Sequence, residues 1–210
     1  MLPLWVGAGS YDSSYYSVDV FLPKLEDLRK EFGANKIVDS VYELPVLVAL
    51  SHYPELKNTS IEFVQTSLYS TMMAQPHFRS IFKRGRRHYV IYINNCKECA
   101  GFVPTELSFN QLVGVLGHEL GHICYYTGRN GFQILLDAYG YYYENYRRDF
   151  EAGTDMITVD HGLGWQLWDF TDFITNKATL SPRYEQKKKQ YYLTAQAIHD
   201  ELIHRQNALK

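Results

Sequence analysis

Three glycines in one apolar run restrict the fold of this chain more than any other sequence feature. The run is GVLGHELGH, residues 114–122, and its glycines are Gly114, Gly117 and Gly121. Each costs roughly 1 kcal/mol relative to alanine in a helix interior. The flanking residues nevertheless predict a helix from the cap Ser108 to about Tyr126, closed by Gly128. We therefore expect a helix that another backbone, or a substrate, approaches closely.

The same run carries two histidines one helical turn apart. Residues four apart share a helix face, so His118 and His122 can both reach one metal ion at about 2.0–2.1 Å. Glu119 lies roughly 100° around the helix, close enough to touch a water on the metal without being a ligand. This arrangement is typical of metal-assisted hydrolysis. The spacing alone also fits two unrelated histidines, so a third ligand must come from elsewhere in the chain.

The segment DFEAGTD, residues 149–155, offers that ligand on a second predicted helix, about 142–160, which Gly162 closes. Glu151 and Asp155 are four apart and share a face. HExxH followed by ExxxD resembles the gluzincin metallopeptidases. The resemblance covers about residues 88–165, and the minigluzincins and the Ste-type and HtpX-like peptidases are the most similar. Those families commonly have alanine where this chain has Thr154, and Gly153 is a further departure. HELGH also occurs in the ImmA/IrrE-type regulatory peptidases.

The resemblance implies a zinc metalloendopeptidase with one Zn²⁺ per chain, held by His118, His122 and Glu151. Asp155 would hydrogen-bond to the outer nitrogen of His118, and Glu119 would be the general base and acid. An edge strand before the active-site helix, which we assign to residues 88–94, would pair with an extended substrate. Mn, Co and Fe remain open as metals. The alternative is a zincin-fold regulatory or binding protein with narrow, latent or lost peptidase activity.

Several other residues near the second helix are candidates for contact with the substrate or the oxyanion. They are His161, Tyr143 and Tyr146, with Arg147 beside them, while Asp160 and His161 are the reserve metal ligands. For His161, a cap at the end of the helix is an equally consistent interpretation.

Strand patterns come early in the chain and helical patterns late, which predicts an α+β fold. We expect a zincin-like architecture with a small N-terminal mixed sheet and a mainly helical C-terminal half. It would form a single domain, 1–210, with an N-terminal lobe of about 1–127 and a helical lobe of about 128–210. Strands are predicted at 61–66 and 88–94, with a turn around Pro76 and a loop at 95–105. The other predicted helices are about 23–32, 39–52, 132–139, 165–175 and, as one long helix, 181–209.

The composition limits the classes of binding partner that we expect. The net charge of −2 and the 21% of charged residues give no reason to expect nucleic acid or an anionic membrane as a partner. No apolar run reaches the roughly 18 residues of a membrane span. The start, MLPLWVGAG, lacks the basic residues of a signal peptide. We expect a cytoplasmic protein acting on a peptide or protein substrate, although a removed leader and the oligomeric state stay open.

The three cysteines are too few for a disulfide scaffold. Cys96 and Cys99 have the spacing of half a zinc knuckle or of a redox pair. We expect a reduced pair in a loop, with a metal or redox role as the alternative.

Overall fold

A four-stranded mixed sheet forms the first half of the fold. The computed structural model describes residues 15–208. Its strands are β1 (Lys36–Ile37), β2 (Ser60–Thr66), β3 (Met72–Pro76) and β4 (His88–Asn94), in the order β1-β2-β4-β3. The first three strands of that order are parallel, and β3 pairs antiparallel with β4, Met72 opposite Ile93.

The position of β4 corrects the prediction that residues 88–94 form the edge strand. The bounds are right, but β4 hydrogen-bonds to β2 on one side and β3 on the other. Both of its faces are largely buried, which suits its run of β-branched and aromatic residues. The edge strand beside β4 is β3, in a segment that was predicted to be a turn region around Pro76. A proline is tolerated at the end of such an outer strand.

Helices account for most of the remaining chain. In chain order they are α1 (Val18–Phe21), α2 (Leu25–Phe32), α3 (Ser40–Ser51), α4 (Lys97–Ala100), α5 (Phe109–Thr127), α6 (Gly131–Gly140), α7 (Glu144–Asp160), α8 (Gly164–Asn176), α9 (Pro182–Tyr191) and α10 (Ala195–Ala208). The α+β class and the mainly helical C-terminal half are therefore as predicted. Pro45 lies inside α3 without ending it. The short α4 and a 3₁₀ turn at Pro104–Glu106 occupy the predicted loop 95–105.

The C-terminal segment forms two helices, α9 and α10, contrary to the prediction of one helix over 181–209. Ser181 caps α9 with Pro182 in the first turn, as expected. The helix ends because Tyr192 is extended, with ψ 152°. Thr194 then begins α10, its side-chain oxygen accepting from the backbone N–H of Ala197. The predicted end at Leu209 and the opening stretch 1–9 lie outside the described residues.

Helix α5 is the buried centre of the fold. Its N-terminus carries a full capping box between Ser108 and Gln111. A Cβ on Gly114 would lie 2.2 Å from the backbone oxygen of Gln166 in α8, so glycine is required there. On Gly121 it would lie 3.1 Å from Thr154 in α7. The close approach that the glycines predicted is thus made by neighbouring helices.

The cysteine prediction is wrong in one respect: Cys96 and Cys99 form a disulfide. The turn of α4 brings their Cα atoms to 5.3 Å, within the range that a disulfide spans. Among residues 15–208, no helix combines the length and the apolar character needed to cross a bilayer.

Candidate metal centre

Helices α5 and α7 bring the two predicted motifs together. The Nε2 atoms of His118 and His122 lie 3.3 and 3.4 Å from Glu151 Oε2. All three side chains are buried, and their ligand atoms form a group that can hold a metal ion. Glu119 is buried beside them, 4% exposed, as the neighbour of His118 on α5.

The separations between these atoms fit a small tetrahedral ion. Bonds of about 2.0–2.1 Å place the ligand atoms of such an ion about 3.3–3.4 Å apart. His118 Nε2 and Glu151 Oε2 are also buried without a hydrogen-bond partner. A buried polar atom without a partner costs about 1–3 kcal/mol, so these two atoms face a group that would satisfy them. The residues present therefore fit a divalent cation.

Hydrogen bonds outside the cluster set the orientation of each imidazole. Asp155 Oδ1 lies 2.8 Å from His118 Nδ1, which donates to the carboxylate. The hydroxyl of Thr154 donates to the Phe150 carbonyl at 2.9 Å, so its oxygen accepts from His122 Nδ1 at 3.1 Å. In both neutral rings the proton is on Nδ1, which leaves the Nε2 lone pair free to bind a metal.

The third side chain of the cluster, Glu151, is held by Tyr141, which directly follows α6. Tyr141 donates its hydroxyl to Glu151 Oε1. The other oxygen, Oε2, is the one that faces the two histidines. Arg147 lies over the Tyr141 ring, 4.4 Å from its centroid, and holds the tyrosine in place.

Burial and neighbouring charges set the proton affinity of the cluster. Burial opposes a charged His118, but the hydrogen bond with Asp155 and the Glu151 carboxylate 3.3 Å from Nε2 outweigh it and raise its pKa well above the usual value. Burial likewise opposes a charged Glu151, and the two histidines outweigh it and lower its pKa. For Glu119, burial is the largest effect, and it raises the pKa of this carboxyl.

Helix α9 closes the space next to the cluster. A cavity of about 30 Å³ adjoins His118 and Glu119, room for about one water molecule. Its walls come from the start of β3 and from α5, α8 and α9. Tyr184 in α9 is hydrogen-bonded to the Thr71 hydroxyl at 2.6 Å, next to β3. The Tyr192 ring lies 5.8 Å from that of His118. Residues of α9 thus form one wall of the small cavity beside His118 and Glu119.

The remaining sequence candidates have partners elsewhere. Tyr143 is hydrogen-bonded to the Tyr139 hydroxyl, and Tyr146 donates to Asp137. His161 ends α7 and bonds to Glu55, and the reserve ligand Asp160 pairs with Arg205. None of these lines the cavity. The structure therefore does not bring His161, Tyr143 or Tyr146 to the His118, His122 and Glu151 cluster.

Three residues at the site were missed by the sequence analysis. Thr154 was treated as a departure from alanine, although its hydroxyl faces α5 as the Asp155 carboxylate does. Tyr141 was one of three adjacent tyrosines, and the pattern did not distinguish it. Tyr192 was placed inside one long helix, so its position next to His118 had no signal in the periodicity.

Comparisons with protein-family models, with curated proteins and with solved structures gave no match to this chain.

Proposed function

We propose that this chain is a zinc-dependent metallopeptidase of the gluzincin type. The observation that carries the proposal is the joint geometry of α5 and α7. Two Nε2 atoms and one carboxylate oxygen converge at tetrahedral spacing, and Asp155 binds the outer nitrogen of His118. A structural zinc site normally has four protein ligands, whereas three plus a free position are typical of a catalytic site. A buried carboxylate, Glu119, beside that position supports hydrolysis.

In the proposed mechanism, His118, His122 and Glu151 hold the ion. When bound, zinc lowers the pKa of a coordinated water and polarises the scissile carbonyl. Glu119 accepts a proton from the attacking water and delivers it to the leaving amine. Asp155 and Thr154 keep both imidazoles in the tautomer that binds metal, and Tyr141 keeps Glu151 Oε1 away from the ion.

The substrate would lie along β3 and not along β4. Strand β3 is one of the two outer strands of the described sheet, with β1 at the other edge, and it packs next to α5. Ser70, Thr71 and Met72 line the cavity at its start. An extended peptide can add to a free strand edge through main-chain hydrogen bonds. Tyr192, whose side chain also lines the cavity, is the best-placed donor to a developing oxyanion.

A narrow or latent activity is the second candidate, favoured by the position of α9. The helix leaves space for about one water at the cluster, so a peptide needs α9 to move. Lys188 of α9 is buried in the cavity wall, and burial lowers its pKa to about 8. Its ammonium group donates to the Thr171 carbonyl of α8 at 3.3 Å, so this contact must break if α9 moves.

Metal analysis and one isosteric variant test the proposal together. We expect Glu151→Ala to lose one zinc equivalent per chain relative to wild type, and Asp155→Ala to bind that zinc more weakly. Glu119→Gln should keep the zinc but lower hydrolysis of a fluorescence-quenched peptide library by a factor of about 10² or more. Equal zinc contents in wild type and Glu151→Ala would refute the ligand assignment. Equal hydrolysis in wild type and Glu119→Gln would refute the peptidase.

A further inference from the structure

A second group of metal-binding side chains lies on the other side of α5. It consists of Glu55, Cys124 and His161, and their ligand atoms all lie within 4.8 Å of one another. Cys124 is two residues after His122, about 200° further around the helix. The group therefore faces away from the His118, His122 and Glu151 cluster. It joins three separate segments: the 3₁₀ turn Pro54–Leu56, helix α5 and the end of α7.

His161 is held so that one ring nitrogen points at this group. Its Nδ1 lies 2.7 Å from the Ile157 carbonyl, and a carbonyl only accepts, so Nδ1 carries a proton. The ring stacks on Tyr53 at 4.1 Å between centroids and 12° between planes. Tyr53 is fully buried and donates to the Gly117 carbonyl at 2.7 Å. A metal-binding histidine commonly has its second nitrogen on a backbone carbonyl in this way.

The other ring nitrogen then faces a carboxylate. His161 Nε2 is 2.7 Å from Glu55 Oε1, and Cys124 Sγ is 3.1 Å from the same oxygen. In a neutral ring protonated on Nδ1, Nε2 presents a lone pair, and a carboxylate has only lone pairs. At 2.7 Å this contact is a hydrogen bond. A metal ion bound by both atoms would replace that hydrogen bond and hold the two atoms about 3.3 Å apart.

The geometry points to a second divalent-cation site of the zinc class, formed by Glu55, Cys124 and His161. Thiolate, imidazole and carboxylate are the three side-chain ligand types of zinc. The thiolate and carboxylate together balance the charge of the ion, and binding releases the thiol proton. Glu55 is exposed on its turn and can move outward by a fraction of an ångström to admit the ion. Solvent then supplies the fourth ligand.

A reactive cysteine explains the group less well. In a nucleophilic pair the imidazole contacts the sulfur directly, whereas here the carboxylate contacts both partners. As a metal site, the group would instead tie the turn after α3 to the two helices that carry the first cluster.

Cobalt(II) distinguishes the two sites, because only the second contains sulfur. We expect the full-length protein, kept non-reducing to preserve the Cys96–Cys99 disulfide, to bind two Co²⁺ per chain. A thiolate-to-cobalt charge-transfer band in the near ultraviolet should appear in wild type and in Glu151→Ala. It should be absent from Cys124→Ser, which retains one Co²⁺. Since Glu151→Ala removes only the first site, failure of the proposed peptidase site and failure of this site give different results.

Two further variants complete the test. Glu55→Gln changes an exposed side chain and leaves the fold intact, so it should weaken the charge-transfer band without altering circular dichroism. Cys96→Ser/Cys99→Ser should leave the band unchanged. The absence of a band in wild type at saturating Co²⁺ would overturn the proposal. So would a band that persists in Cys124→Ser or disappears with the Cys96 and Cys99 pair.

Discussion

Thr154 controls the second histidine through a single hydroxyl. That hydroxyl donates to the Phe150 carbonyl and accepts from His122 Nδ1, while its methyl group packs 3.1 Å from where a Cβ on Gly121 would lie. The side chain thus combines a polar and an apolar contact. Valine matches its shape but has no hydroxyl, and serine keeps the hydroxyl without the methyl group. The two substitutions therefore separate orientation of the ring from packing.

We expect Thr154→Val to weaken binding at the His118, His122 and Glu151 cluster by about 10- to 100-fold, the usual effect of losing an outer partner of a metal ligand. Thr154→Ser should remain within a few-fold of wild type. Zinc affinity measured by competition with a chromogenic chelator, in a Cys124→Ser background, checks this. If Thr154→Val and Thr154→Ser weaken binding equally, the effect comes from packing and the assigned hydrogen bond has no role.

At this scale the sequence predicts some site residues and not others for a physical reason. His118, His122, Glu151 and Asp155 follow from fixed i, i+4 spacing, which any straight helix preserves. Tyr141 and Tyr192 are placed by the turn after α6 and by the break after α9, respectively. Turns and breaks of this kind have no regular sequence periodicity. The side chains that they place near a site therefore cannot be predicted from the spacing of residues.

Helices and strands were likewise predicted well where local sequence marks their ends, and poorly where contacts with distant residues stabilise them. Helix α5 was predicted almost to the residue because Ser108 and Gly128 mark its ends locally. Strand β3 was missed because a five-residue strand ending in proline has little propensity of its own, and pairing with β4 stabilises it. That omission led to the assignment of the wrong edge strand.

Two glycines in helices test whether packing explains their presence. A Cβ on Gly153 would meet nothing within 4 Å, whereas one on Gly114 would clash with the Gln166 carbonyl. We expect Gly153→Ala to raise the free energy of unfolding by about 0.5–1 kcal/mol through helix propensity. Gly114→Ala should lower it by about 1–3 kcal/mol, the typical range for overpacking. Urea unfolding measures both.

Zinc content is the control for this pair, since Gly153 lies on α7 between Glu151 and Asp155. Gly153→Ala should retain full zinc because its side chain enters open space. A loss of zinc in Gly153→Ala, or a stabilised Gly114→Ala, would contradict this account of helix packing.

At the scale of the whole molecule, the chain covers its own candidate site. Helix α9 is tied to the segment just before β3 through the hydrogen bond between Tyr184 and Thr71. Its cap Ser181 ties it to α4 by donating to the Cys99 carbonyl at 2.7 Å. Both attachments join α9 to segments that border the cavity or follow the sheet. Under the proposed function, peptide hydrolysis requires α9 to be displaced, so a weaker attachment should raise the hydrolysis rate.

Tyr184 allows graded weakening of this attachment. Tyr184→Phe removes the hydrogen bond, worth about 1 kcal/mol, and so should raise the displaced fraction and peptide hydrolysis about five-fold. Tyr184→Ala also loses the buried ring, so hydrolysis should rise further. Initial rates on quenched peptides, with zinc content and circular dichroism to verify folding, measure the series. The increase must disappear in combination with Glu119→Gln, because the chemistry is assigned to that residue. Activity that is unchanged or falls across the folded, zinc-loaded series would mean that α9 is part of the working site and not its cover.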